Sequence, residues 1–92
     1  MKSIRWTPHA KHEAARREIS IDEAEKTVAE PDSVAPAQPS RQIFMRRYFD
    51  SVLETEMLLR VVIEEADTEL VIVTLYKTSK FKKYEGEKNN ED

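Results

Sequence analysis

From Gln42 to Lys77 the chain reads QIFMRRYFDSVLETEMLLRVVIEEADTELVIVTLYK. Three runs in it, Gln42 to Phe49, Met57 to Glu64 and Leu70 to Lys77, are rich in Val, Ile, Leu, Phe and Tyr and alternate with a period of two. Only short polar breaks separate them, Asp50 to Glu56 and Glu65 to Glu69. Short breaks between such runs predict an antiparallel meander. If both breaks fold symmetrically, Arg46 faces Arg60, Phe44 faces Val62 and Tyr48 faces Leu58, while Arg60 faces Thr74 and Leu58 faces Tyr76. The opposite face then collects Ile43, Met45, Leu59, Val61, Ile63, Val71, Val73 and Leu75, an aliphatic surface suited to carry helices.

Those helices are predicted upstream. Ile4 to Trp6 is an opening strand stopped by Thr7-Pro8, with Thr7 as N-cap and Pro8 at the first helical position. From His9 to Glu18 the only apolar residues are Ala10, Ala14 and Ala15, a lean face that permits close packing. Ser20-Ile21-Asp22-Glu23 is a capping box opening a second helix, with Ile21, Ala24, Val28 and Ala29 as its stripe and Pro31 ending it. Ser33 to Ser40, with Pro36 and Pro39, reads as a connector or an edge. The expected fold is therefore α+β: a short strand, two helices, then a three-stranded antiparallel meander with both helices on one face.

Ninety-two residues make one small domain with a thin core. We expect it to span residues 1–84, followed by a disordered polar tail, residues 85–92. The net charge is −3, which argues against a generic nucleic-acid-coating protein. The tail alone sets Glu85, Glu87, Glu91 and Asp92 against Lys88, so any basic patch is local. There is no cysteine, hence no disulfide or thiolate metal site, and no apolar run approaches the roughly 20 residues that span a bilayer. Nor is there a signal-peptide pattern, and the expected location is the cytoplasm.

Two arginines opposite each other repel by a few tenths of a kcal/mol up to about 1. An anion repays that cost, since arginine forks bind phosphate bidentately. The alternative is that Glu54, Glu56 or Glu64 pairs with them, or that the register is shifted by one or two. Lys77, Lys80, Lys82 and Lys83 interleave with Phe81 and Tyr84, a pattern suited to RNA because cations neutralise phosphates while rings stack on bases. The plainer reading is a solvated end beside an acidic tail. His9, His12 and Glu13 lie within one helical turn but not in the H-E-x-x-H order of a zinc helix, so no metal is expected; His9 is a candidate general acid or base. The only glycine is Gly86, which excludes a glycine-rich phosphate loop and predicts no nucleotide cofactor.

The stretches TPHAKHEAARREISIDEAEKTVAEPD, RQIFMRRY and LLRVVIEEADTELVIVTLYKTSKFKKY resemble a small bacterial family of unknown function. His9-Ala10 matches its His-Ala, Arg17, Ile19 and Ser20 its Arg-x-Ile-Ser, and Val73 or its neighbours with Thr74 and Tyr76 its Val-x-Thr-x-Tyr strand. Glu13 stands where a basic residue is often found. More distantly, the order of parts is similar to BrnT-type and RelE-type toxins, ribonucleases of bacterial toxin–antitoxin pairs. In that comparison Lys77 matches a lysine, Lys80 a basic position and Tyr84 a closing tyrosine; Tyr76 replaces an arginine, and Arg16-Arg17-Glu18 replaces Lys-His-Gly. The resemblance implies a RelE-like fold and a metal-independent ribonuclease in which the RNA's own 2′-hydroxyl attacks the adjacent phosphate. Arg46 and Arg60 would clamp that phosphate and Lys77 or Lys80 add charge, with Tyr76 or Tyr84 stacking or moving protons and His9 in reserve. The implied partners are RNA and an antitoxin-like protein. The alternative is a non-enzymatic interaction module or homodimer whose arginine face meets an acidic partner.

Overall fold

The structure, a computed structural model, describes residues 2–85. It is α+β: β1 (Ser3–Trp6), α1 (Pro8–Arg16), α2 (Ile21–Ala29), β2 (Ser33–Ala37), β3 (Arg41–Asp50), β4 (Thr55–Glu65), β5 (Glu69–Thr78) and α3 (Phe81–Glu85). The strands form one mixed sheet in the order β1-β5-β4-β3-β2, with β1 parallel to β5 and the remaining pairs antiparallel. The expected meander is its centre. Two edges enlarge it to five strands: β2, with Pro36 exposed at the rim opposite Gln42, and β1, delivered beside β5 in the register Ile4↔Leu70.

Both helix starts form as their sequences dictate. Thr7 Oγ1 accepts from the Ala10 N–H at 3.1 Å and donates to the Ile72 carbonyl at 2.9 Å, which ties the start of α1 to β5. The lean face of α1 buries Ala10 and Ala14, small enough for close approach to the sheet. Its end is a Schellman turn: the Ile19 N–H reaches the Ala14 carbonyl at 2.8 Å and the Glu18 N–H that of Ala15 at 3.2 Å, with Glu18 left-handed at φ 57°. The helix therefore stops at Arg16, two residues short of the expected end. Ser20 Oγ accepts from the Glu23 N–H at 3.2 Å, one arm of the capping box, while the Glu23 carboxylate goes to Arg46 instead. Ser20→Ala is expected to cost about 1 kcal/mol in urea denaturation, the usual value of such a cap. The stripe of α2 buries Ala24, Thr27 and Val28, and leaves Ile21 exposed.

The register differs from expectation, and the difference re-sorts the faces. β3 and β4 run on to Asp50↔Thr55, so Arg46 faces Leu59 and Met45 faces Arg60. The turn explains the slip. Asp50 Oδ1 accepts from the N–H groups of Val52 and Leu53, both at 2.9 Å, the Glu54 N–H reaches the Asp50 carbonyl at 2.7 Å, and Glu54 takes φ 56°. A slip of one residue moves every side chain of a strand to the other face. Phe44, Arg46 and Tyr48 thus look toward α1 and α2, and Ile43 and Met45 look away. Arg60 faces Tyr76 instead of Thr74, a shift of two that keeps the face. Beyond Thr74 a bulge leaves Val73 between the pairs Val62↔Thr74 and Ile63↔Ile72. It brings Ile72 as well as Leu75 into the helix-side core and leaves Val71, which is still buried, out of that cluster.

The helix-side core holds Tyr48, Met57, Leu59, Val61, Ile63, Ile72 and Leu75 against Ala10, Ala14, Ile19, Ala24 and Val28. Burial of each large aliphatic contributes about 1.5–3 kcal/mol, so the sheet supplies the apolar area that α1 lacks. A second cluster, Ala35, Met45 and Leu58 with Ile43, Phe81 and Tyr84, occupies the other face. The segment from Phe81 is thus a short helix folded back on the sheet, and Glu85 closes it. The remainder of the expected tail, residues 86–92, lies outside the described residues. Among the described residues no helix is long and apolar enough to cross a membrane.

Candidate functional site

The register slip divides the expected site residues between two places. Arg60, Tyr76, Phe81 and Tyr84 meet on the face away from α1 and α2, whereas Arg46, Lys77 and His9 lie on the helix side. Arg46 and Arg60 therefore do not form a pair.

On the open face Arg60 is 2% exposed, at the centre of β4. Its guanidinium carbon lies 3.9 Å from the centroid of the Tyr84 ring and 5.5 Å from that of Tyr76, and Nη1 donates to the Met45 sulfur at 3.4 Å. The two tyrosine rings meet edge to face, with centroids 6.4 Å apart at 74°. Lys83 Nζ stands 5.2 Å from the Tyr84 centroid. Cation–π contacts of this kind are worth about 2 kcal/mol when desolvated, enough to hold an arginine inside an otherwise apolar cluster.

The cover is α3. A helix of five residues does not hold itself together, so its contacts with the sheet must do so. Arg47 supplies them: its guanidinium carbon lies 4.2 Å from the Phe81 centroid, Nε and Nη2 grip Glu85 at 2.7 and 2.8 Å, and Nη1 reaches Glu56 at 3.3 Å. That grip lowers the Glu85 carboxyl below the usual carboxylate range. Lys80, Lys82 and Lys83 remain exposed along α3 and the turn before it. Arg47 escaped the sequence reading because the slip that carries Arg46 to the helix side carries Arg47 here. A turn one residue tighter after Asp50 was the signal to be read.

On the helix side, Lys77 Nζ donates to Asp50 Oδ2 at 2.6 Å and to the Glu18 carbonyl at 3.2 Å, while Tyr48 Oη donates to the same carboxylate oxygen at 2.7 Å. Asp50 is 2% exposed. Burial alone would raise its pKa, but the bonds from Lys77, the Leu53 N–H and Tyr48 outweigh it and hold the group at about 2. Tyr48 is raised well above its ordinary value by burial and by the adjacent Asp50 charge, so it stays a donor. Arg46 pairs with the Glu23 carboxylate and donates to Thr27 Oγ1 at 3.3 Å. His9 is exposed on α1. Glu13, where a basic residue was the expectation, is gripped by Arg16 and Arg17, both at 2.7 Å, which lower its carboxyl to about 2. Among the described residues no group of three His, Cys, Asp or Glu could hold a metal ion.

A family model described as a domain of unknown function, DUF4258, matches residues 6–77. The chain belongs to the DUF4258 family. No curated protein matches the chain, and neither does any solved structure. The DUF4258 segment takes in Arg47, Arg60, Tyr76 and the Asp50–Lys77 pair; Phe81 and Tyr84, which cover Arg60, lie beyond it.

Proposed function

We propose that this protein binds RNA on the open face of its sheet, as a metal-independent RelE/BrnT-like ribonuclease or a non-cleaving relative. The observation that supports the reading is the convergence of Arg60, Tyr76, Phe81 and Tyr84 on one face, with Lys80, Lys82 and Lys83 exposed at its rim. Arg60 takes the phosphate, Tyr76 and Tyr84 stack on bases or move protons, and the lysines neutralise neighbouring phosphates. In cleavage the 2′-oxygen forms its bond to phosphorus as the bond to the 5′-oxygen breaks. The 2′-hydroxyl proton passes to a base and the leaving oxygen gains one, leaving a cyclic phosphate and a 5′-hydroxyl. Arg46, Lys77 and His9 have no part in this site, since the first two hold Glu23 and Asp50 on the other face and the third is on α1.

Arg60 is sealed under Tyr84, so RNA reaches it as α3 lifts and the tyrosine contact is exchanged for a phosphate contact. An antitoxin-like acidic segment would compete for the same lysines. Gel retardation and cleavage of single-stranded RNA in the presence of EDTA test the reading. Three lysines on phosphates predict a slope of about −2 in log affinity against log salt for a single strand, and Lys82→Glu with Lys83→Glu is expected to weaken binding by at least about tenfold. Unchanged retardation in that variant, or none at low salt, removes RNA from this face.

A further inference from the structure

The end of the molecule where β3 turns into β4 carries a surface that the RNA reading leaves unused. Phe49, Val52 and Leu53 are 66%, 55% and 51% exposed, three of the four large apolar residues so displayed among the described ones. Phe49 stands near the end of β3, and Val52 and Leu53 lie in the short turn that follows it. That turn is not loose: the buried Asp50 holds it through two backbone N–H bonds and is itself held by Lys77 and Tyr48. An apolar tip on a rigid support presents its area with little entropy left to lose, the condition under which an exposed patch binds well.

Beside the tip opens a pocket of about 460 Å³, walled by α1, the turn before α2, and the residues from Tyr48 to Val52. Its lining mixes apolar surface from Ala14, Ala15, Ile19, Phe49 and Val52 with carboxylates from Glu18, Glu23 and Asp50, and holds no lysine, arginine or histidine. Two of those carboxylates are answered from outside the lining, Glu23 by Arg46 and Asp50 by Lys77. The Glu18 side chain is exposed at the mouth, where only its carbonyl receives Lys77. Glu54 adds another carboxylate to the turn itself. Among the described residues Glu18 and Glu54 are also the two non-glycine residues with positive φ, each costing about 1 kcal/mol in backbone strain that glycine would avoid.

We propose that this pocket and the Phe49–Val52–Leu53 tip dock a segment of another protein in which a lysine or arginine is flanked by apolar side chains. The cation enters toward Glu18 while its neighbours cover Val52 and Leu53. Charge complementarity selects this occupant: Arg46 and Lys77 answer Glu23 and Asp50, and the exposed carboxylates of Glu18 and Glu54 are left to favour a cationic segment over an acidic peptide or a nucleic acid.

The test uses the whole chain, labelled with ¹⁵N, and a short synthetic peptide alternating leucine and arginine. A leucine–glutamate peptide and a serine–arginine peptide are the controls for charge sign and for charge alone. The expected result is saturable amide shifts confined to Glu18, Ile19 and Ser51 to Leu53 with the leucine–arginine peptide, and none with the controls. Val52→Ser with Leu53→Ser changes only exposed side chains and is expected to weaken binding at least about tenfold with thermal unfolding unmoved. Glu18→Gly suits the left-handed turn, so it should weaken binding while holding or raising the melting temperature. Shifts scattered over the lysines of α3, equal response to the serine–arginine peptide, or concentration-dependent self-association that silences the tip would each overturn the proposal. The last would assign the face to a second copy of the chain.

Discussion

Asp50→Ala is expected to destabilise the protein by about 3–5 kcal/mol in urea denaturation, the usual loss when one member of a buried ion pair is removed. The cost is not that of the salt bridge alone. Lys77, with 12% of its side chain exposed, would keep its charge without the carboxylate that answers it, Tyr48 would lose its acceptor, and the N–H groups of Val52 and Leu53 theirs. A double replacement separates these contributions. Asp50→Leu with Lys77→Met removes both charges together, and it should recover a large part of the loss, because well-packed apolar pairs replace buried ion pairs at little net cost. What it does not recover measures the backbone bonds of the turn. A loss below about 1 kcal/mol for Asp50→Ala would mean that the turn holds without its carboxylate.

The same carboxylate sets an acid limit. Asp50 and Glu13 are each held at about 2, and Glu85 is also lowered. Their folded values lie below those of the unfolded chain, near 4, so the stability they contribute is complete above that range and is lost as pH falls from about 4 toward 2. In Asp50→Asn the acid limb of the unfolding free energy should be shallower, since one of the three groups no longer titrates.

These residues show where the chain is legible and where it is not. The caps at Thr7 and Ser20 can be read because their hydrogen bonds close within three residues, and the central meander because a period of two survives any register. The faces cannot be read that way. Ile43 and Met45 on one side of β3, and Phe44 and Tyr48 on the other, are both apolar enough to be buried, so hydrophobicity does not choose between them. The choice falls to Asp50, whose burial depends on Lys77 arriving from another strand. The Val73 bulge and the parallel pairing of β1 are non-local in the same sense. Arg60 and Tyr76 keep the common face expected for them because a shift of two preserves it, whereas Tyr84 reaches them from α3, which no strand register dictates. Arg46 and Arg47 exchange places because a shift of one does not preserve the face. That FKKYE folds into a helix has no local signature either, since Arg47 and Arg60 hold it from the sheet.

The burial of Arg60 leads to the second large effect. Arg60→Met is expected to lower RNA affinity about ten- to a hundredfold, the worth of one charge-assisted contact to phosphate, while the protein stays folded. Folding should survive because methionine fills the space between the two tyrosine rings and makes favourable sulfur–aromatic contacts in place of the cation–π pair. Tyr84→Phe separates two roles of its residue: the ring still packs on Arg60 when α3 is closed and still stacks on a base once α3 lifts, so binding persists, but proton transfer through the hydroxyl is lost and cleavage falls. Glu85→Ala probes the cover, since releasing one clasp on Arg47 makes α3 easier to lift and should raise RNA affinity a few fold. If Arg60→Met leaves binding intact while Lys82→Glu with Lys83→Glu abolishes it, RNA rides on the lysines alone with α3 closed, and Arg60 is the pin that holds α3 to the sheet.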